Sequence, residues 1–165
     1  MPQGRILIID DEDSIREYLS MMLEREGHIA DATKDGKKAL KLHSKAAYDV
    51  VITDIQLPGM SGIDILEKLR ESDPTIPVII ITGHASQESA IEALNLGAFY
   101  YLLKPVSNEE LKQVVRNALE MRRLREEKTD LERALHVSGE RDRVGHSANR
   151  TSACHLSDSR GNTTL

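Results

Sequence analysis

The sequence predicts an α/β fold: a doubly wound, five-stranded parallel sheet of order 2-1-3-4-5, with helices on both faces and a C-terminally extended last helix. Three observations predict it. Short apolar runs alternate five times with stretches of helical periodicity, and the connections between them are short. The first, third and fourth runs are apolar almost throughout, as strands buried on both faces of a parallel sheet must be. Five strands connected in this way are most economically ordered 2-1-3-4-5, with the switch point between strands one and three.

The first strand is Arg5 to Ile9, stopping at Asp10-Asp11-Glu12-Asp13. A helix follows, with Asp13 or Ser14 as cap, Ile15, Leu19, Met22 and Leu23 on one face, and Gly27 at its end. His28 to Thr33 is short and mixed in polarity, which places it at a sheet edge. A second helix from Asp35-Gly36 buries Ala39, Leu40 and Ala46, and the strand Asp49 to Thr53 leads to Asp54. The loop Leu57 to Gly62 opens a third helix with Ile65, Leu66 and Leu69 inward. Asp73-Pro74 closes it, because the residue before a proline leaves helical geometry. Pro77 to Thr82 is the most hydrophobic strand and is expected at the centre. The fourth helix is capped by Ser86, turns Ala90, Ala93 and Leu94 inward and ends at Gly97. Phe99 to Leu103 is the fifth strand, and the capping box Ser107-Asn108-Glu109-Glu110 starts the last helix.

That helix outruns the sheet. Leu111, Val114, Val115, Ala118 and Leu119 can pack on it, whereas Met121, Leu124, Leu131 and Leu135 recur at heptad-like spacing, interrupted at Lys128. Residues 4–121 are therefore read as one domain and 122–136 as a helical linker, either a short coiled coil with a second copy or a solvated helix laced by ion pairs. From Val137 to Leu165 no periodicity survives, and a disordered tail is expected. Within that tail His146, Cys154 and His155 fit no zinc spacing.

Composition excludes several classes. The 165 residues suit one domain and an appendage, and with 3% aromatics and no Trp the core must be aliphatic. A formal charge of −5 argues against nucleic acid as the main partner. No apolar run approaches the roughly 20 residues of a membrane span, and the N-terminus lacks a secretory core. Cys154 is the only cysteine, so no internal disulfide can form and a cytoplasmic location is expected. No Walker-type phosphate loop occurs, and there is no room for a helix-turn-helix with its own core.

The chemistry lies at the carboxyl ends of the strands. Strand one delivers Asp10 and Asp11, strand three Asp54, strand four Thr82 and strand five Lys104. Singly, each has an ordinary explanation: an acidic pair caps a helix, a threonine ends a strand, and a lysine before Pro105 is solvated. Together at one sheet edge they describe a site. Three carboxylates so close repel one another unless a divalent cation joins them, and an all-oxygen site with room for water suits Mg²⁺. A lysine and a hydroxyl aimed at the same point would stabilise a tetrahedral oxyanion such as a phosphoryl group, and an aspartate can be the nucleophile that receives it.

These residues resemble the receiver domain of two-component response regulators over roughly residues 4 to 122. The matching pieces are Ile8-Ile9-Asp10-Asp11, Asp54 to Gly62, Ile81-Thr82-Gly83-His84, Gly97-Ala98-Phe99 and Tyr101-Leu102-Leu103-Lys104-Pro105. In detail they look most like receivers of the nitrogen-regulation type, which precede an ATPase of the sigma-54 activator class and serve transcription regulation. The resemblance implies a flavodoxin-like fold and a phosphorylation-activated switch, not an enzyme beyond its own phosphorylation and dephosphorylation. Asp54 would accept the phosphoryl group from a sensor histidine kinase. Asp11, Asp54 and the backbone carbonyl of Gln56 would hold Mg²⁺, with Asp10 acting through water. Lys104 would pair with a phosphoryl oxygen, its bond to Pro105 being cis. Thr82 would donate its hydroxyl, and an exposed Tyr101 would swing inward. Gly83 would leave room for the phosphate, and Gln56 and His84 would tune dephosphorylation. The signal would leave through the fourth helix, fifth strand and fifth helix, Ser86 to Met121, and this face or the last helix would carry any homodimer.

Three alternatives accompany that reading. A Mg²⁺-dependent aspartate-nucleophile phosphatase would use an aspartate after strand one, and Asp11-Glu12-Asp13 could imitate its motif. A DNA-binding factor would rest on Arg122-Arg123-Leu124-Arg125, but Glu126, Glu127 and Glu132 largely cancel that charge, so no direct DNA binding is expected. Finally, the chain reads equally as a stand-alone regulator or as a shortened transcriptional activator without its output domain.

Overall fold

The computed structural model describes the backbone of residues 3–154 and the side chains of residues 3–138. Five strands, β1 (Arg5–Ile9), β2 (Ile29–Thr33), β3 (Val50–Thr53), β4 (Val78–Thr82) and β5 (Tyr100–Leu103), form one parallel sheet. Its order is β2-β1-β3-β4-β5, as the sequence predicts. The helices α1 (Asp13–Arg25), α2 (Gly36–Lys45), α3 (Gly62–Ser72), α4 (Gln87–Asn95) and α5 (Asn108–Cys154) alternate with the strands.

Strand side chains alternate between faces, so two apolar cores form. One joins Ile6, Ile8, Val50, Ile52, Ile79, Ile81 and Leu102 to Leu19, Met22 and Leu23 of α1 and to Leu111, Val114, Val115 and Ala118 of α5. The other joins Leu7, Ile9, Val51, Val78 and Ile80 to Ala39 of α2, Ile65, Leu66 and Leu69 of α3, and Ala93 of α4. Each such Leu or Ile contributes about 1.5–3 kcal/mol relative to full exposure. Local chemistry fixes the helix ends. Gly27 and Gly97 take φ of +87° and +84° beyond α1 and α4, a conformation nearly closed to side chains with a Cβ. Reciprocal capping boxes start α3 (Ser61 and Asp64) and α4 (Ser86 and Ser89).

Several sequence readings shift. Glu12, not Asp13 or Ser14, occupies the N-cap of α1, and no side-chain bond caps it. In α2 the inward polar residue is His43, while Ala46 is only half-buried. Leu94, expected inward, is 57% exposed. A nine-residue helix offers one narrow stripe to the sheet, and Ala93 occupies it so closely that the neighbouring leucine is left outside.

The contacts divide the chain into two units, Met1–Arg125 and Glu126–Leu165. The first runs past the expected boundary at Met121 because Arg122 and Arg125 bond to Asp73 and Thr75. In the second the backbone stays helical to Cys154, past the expected end near His136, with no proline after Pro105 to interrupt it. Its Leu131, Leu135 and Val137 are 62%, 65% and 51% exposed. The part of the expected tail at 155–165, and with it His155, lies outside the described residues, as do the side chains of His146 and Cys154.

Candidate functional site

Register brings the acids together. Ile9 is paired with Thr53, so Asp10 and Asp54 leave neighbouring strands side by side, and Asp54 N donates to the Ile9 carbonyl at 2.9 Å. On the other side Thr82 is paired with Leu103, and Lys104 N donates to the Thr82 carbonyl at 2.9 Å. The Lys104–Pro105 peptide bond is cis. The site is thus assembled from four strand ends without a long loop.

Asp10 and Asp54 are only 2% and 6% exposed. Lys104 Nζ lies 2.8 Å from Asp10 Oδ2, 2.8 Å from Asp54 Oδ2 and 3.2 Å from Glu12 Oε1. The other oxygen of Asp54 accepts from Gln56 N at 3.1 Å, and that of Asp10 from Glu12 N at 2.9 Å. Burial pushes the Asp10 carboxyl above its usual range, and the neighbouring Asp54 charge adds to this, against the hydrogen bonds from Lys104 and Glu12 N. Burial also opposes the charge on Lys104, but its bonds to Asp10, Asp54 and Glu12 prevail and raise its pKa.

One carboxylate oxygen from each of Asp10, Asp11, Glu12 and Asp54 lies within 4.8 Å of the others. This oxygen-only donor set, partly exposed at Asp11 and Glu12, fits a hard divalent cation that keeps some of its water. A pocket of about 610 Å³, bordered by Asp11, Lys37, Pro58 and Met60 among others, opens beside it.

The remaining residues sit around this centre. Thr82 is fully buried, and its Oγ1 accepts from His84 N at 3.2 Å. Gln56 and His84 are exposed. Tyr101, expected to be exposed, is half-buried, with its hydroxyl 3.2 Å from Ser89 Oγ of α4; the exposed tyrosine of β5 is Tyr100, at 45%. At Gly83 an added Cβ would meet no protein atom closer than Lys104 at 3.9 Å.

Two participants escaped the sequence reading. Glu12 is a third partner of Lys104, and its position directly after the acidic pair was the available signal, masked by its equal suitability for a helix start. Gly62 stood in the matched motif without a role. Its N donates to the Ile55 carbonyl at 2.8 Å, and a Cβ there would lie 2.1 Å from the Asp54 carbonyl oxygen.

Comparison with known proteins points the same way. The profile of the response regulator receiver domain matches residues 6–116. The regulatory protein AtoC of Escherichia coli is 40% identical over 135 residues, which cover 82% of this chain and 29% of AtoC. The DNA-binding transcriptional regulator NtrC of Proteus hauseri is 35% identical over 119 residues, covering 72% of this chain and 25% of NtrC. The chain therefore spans under a third of the length of these curated relatives. Among solved structures, a response regulator receiver domain protein from Clostridium thermocellum superposes with a TM-score of 0.70 at 36% identity, covering 73% of this chain and 98% of that one. NtrX from Brucella abortus, in complex with ADP, gives a TM-score of 0.74 at 33% identity, covering 79% of this chain and 30% of that one.

Proposed function

Because the chain belongs to the response regulator receiver domain family, whose members are phosphorylation-activated switches of two-component systems, we propose that Asp54 is its phosphoacceptor and a sensor histidine kinase its donor. The observation that carries this is a buried carboxylate with one oxygen 2.8 Å from the ammonium of Lys104, at the meeting point of four strand ends. Receiver domains interact with histidine kinases and bind a divalent metal at an acidic pocket. For this chain the metal would be Mg²⁺, and Asp11, Asp54 and the Gln56 carbonyl would hold it, with Asp10 acting through water. When bound, it neutralises charge on the carboxylates and on the transferred group.

An oxygen of Asp54 forms the new P–O bond while the P–N bond to the donor imidazole breaks, and the ring nitrogen leaves with the electron pair and takes up a proton. Lys104 then exchanges a carboxylate oxygen for a phosphoryl oxygen. Thr82 donates its hydroxyl to the same group, and Tyr101, which shares the β4–β5 edge, follows it. Gln56 and His84, exposed beside the acceptor, govern access of water and so the lifetime of the acyl phosphate. The reaction is the domain's own phosphorylation and dephosphorylation, in the cytoplasm.

The signal leaves through α4, β5 and the start of α5, where Ile91, Leu94, Tyr100 and Leu103 are exposed. Pairing with a second copy uses this face or the α5 seam. Direct DNA contact is not part of the reading, since Arg122 and Arg125 are bonded to the α3–β4 loop and Arg123 lies 3.7 Å from Glu120. In a longer regulator, the output would belong to segments beyond this chain.

Labelling with phosphoramidate and Mg²⁺ tests the assignment. Label is expected in the wild type and in Asp11→Asn at a reduced rate, and lost in Asp54→Asn. Label persisting without Asp54 and absent without Asp11, with steady turnover of phosphate esters, would establish the phosphatase instead.

A further inference from the structure

A second ion-pair cluster lies at the opposite edge of the sheet, on the loop between α3 and β4. Arg122 is charged and yet only 8% exposed. Its Nη1 donates to Asp73 Oδ1 at 2.8 Å and to Thr75 Oγ1 at 2.6 Å, and its Nη2 to Asp73 Oδ2 at 3.0 Å. One turn further, Arg125 Nη1 donates to the Thr75 carbonyl at 3.3 Å. From α2, His43 Nε2 reaches Asp73 Oδ2 at 3.1 Å. His43 Nδ1 accepts from Tyr48 N at 3.4 Å, which assigns the ring proton to Nε2 and makes the imidazole a donor to Asp73. Arg70 pins the same loop, donating to the Pro74 carbonyl at 3.2 Å and the Gly97 carbonyl at 3.1 Å.

One short loop therefore gathers α2, the α4–β5 turn and α5. Burial opposes the charge of Asp73, but the bonds from Arg122 overcome it and hold the carboxyl below its usual range. A largely desolvated guanidinium is tolerated only where a carboxylate meets its fork in register. We propose that this clasp makes α5 an integral part of the receiver through Arg125, nine residues past the family match, and fixes the helix's rotational phase there. Arg122 and Arg125 face the loop, and Met121 and Leu124 are consequently turned outward, 37% and 49% exposed. Asp73, not the linker's own periodicity, decides which face of α5 is offered to a partner.

Hydrogen exchange on the full chain tests this, with Arg122→Gln, Asp73→Asn and the double variant. In each single variant, amides of 117–126 should exchange about tenfold faster, equivalent to roughly 1.4 kcal/mol of local opening. The double variant should exchange more slowly than the product of the two single effects, because both remove the shared Arg122–Asp73 fork, each with a further contact of its own. Amides of β1 and β3, and beryllofluoride binding with Mg²⁺, should be unchanged. Arg122→Lys, which keeps the charge without the fork, should fall between. Wild-type exchange in both single variants, or effects that multiply in the double, would overturn the clasp. Should a single variant unfold, Thr75→Val removes the hydroxyl bonds to Arg122 and Asp73, Arg125→Ala removes the bond to the Thr75 carbonyl, and unchanged exchange at 117–126 in both also overturns it. A wild type that fails to bind beryllofluoride would count against the phosphoacceptor reading alone, since the exchange is measured without it.

Discussion

In a Gly62→Ala variant the new methyl would lie 2.1 Å from the Asp54 carbonyl oxygen and 2.9 Å from its carbonyl carbon. Both obstacles are backbone, so no rotamer change relieves them. To regain the 3.0 Å that real Cβ contacts observe, the end of β3 and the start of α3 must separate by about 0.9 Å. That movement strains the Gly62 N to Ile55 carbonyl bond and drags the residue whose side chain meets Lys104. Overpacking of this kind costs about 1–3 kcal/mol. At roughly 4 °C per kcal/mol for a domain of this size, the melting temperature should fall by about 4–12 °C. The functional loss should be larger in proportion, because a displacement near 1 Å at a reacting group costs about a hundredfold in rate. Circular dichroism melting and the rate of phosphorylation by phosphoramidate read the two effects separately. Gly83→Ala is the control: its Cβ meets Lys104 only at 3.9 Å, and stability should change by less than about 0.5 kcal/mol. A Gly62→Ala protein with wild-type melting and phosphorylation would refute the claim that this close approach positions Asp54.

Lys104→Gln removes the cation that now bonds Asp10, Glu12 and Asp54, so Mg²⁺ should bind about tenfold tighter by calorimetry while beryllofluoride binds more weakly; unchanged Mg²⁺ affinity would contradict the competition. Burial, and next the hydrogen bond to Asp31, push the Tyr48 hydroxyl from 10.0 to about 12. A raised folded-state pKa contributes stability that is complete below pH 10 and lost as pH rises through 12, and the tyrosinate absorbance rising near pH 12 should vanish in Tyr48→Phe. If α5 pairs with a second copy, light scattering should show a concentration-dependent dimer that Leu131→Asp weakens, and an unaltered monomer in both proteins would reject the pairing.

The strands were legible because their chemistry is redundant. Val78 to Ile81 are apolar in succession, and only a position covered on both faces permits that. The site was legible for a related reason: one residue from each strand end is separated in sequence but adjacent in the predicted order. What stayed hidden depends on packing between elements. Leu94 and Ala93 suit an inward face equally by type, and only the closeness of α4 to the sheet selects the alanine. The burial of His43 and Arg122 is not visible in the sequence, because a polar side chain signals burial only through its partner. That partner, Asp73, lies 30 and 49 residues away. Gly62 is the same problem in backbone form, since nothing local in the sequence reveals a carbonyl 2.1 Å from a hypothetical methyl.

On the proposed mechanism, the charge arrangement at the site means that Lys104 needs to move little when the phosphoryl group arrives. Asp10, Glu12 and Asp54 share the Lys104 ammonium, and a carboxylate oxygen of Asp11 lies within 4.8 Å of theirs, so the clustered carboxylates outnumber the lysine that bonds them. A phosphoryl group on Asp54 replaces one carboxylate charge with nearly two. Lys104 already stands 2.8 Å from the acceptor oxygen, so its part of the oxyanion site exists beforehand. Thr82 is prepared differently. Its oxygen accepts from His84 N at 3.2 Å, which leaves the hydroxyl proton free to be donated without breaking that bond. Any turn of Thr82 toward the phosphoryl group therefore carries the His84 amide, and with it the loop that leads to Ser86 and the N-terminus of α4. Three residues into that helix, Ser89 holds the Tyr101 hydroxyl at 3.2 Å. On the proposed mechanism the switch is this chain from Thr82 through the β4–α4 loop to Tyr101, hung from a site where Lys104 already meets Asp54.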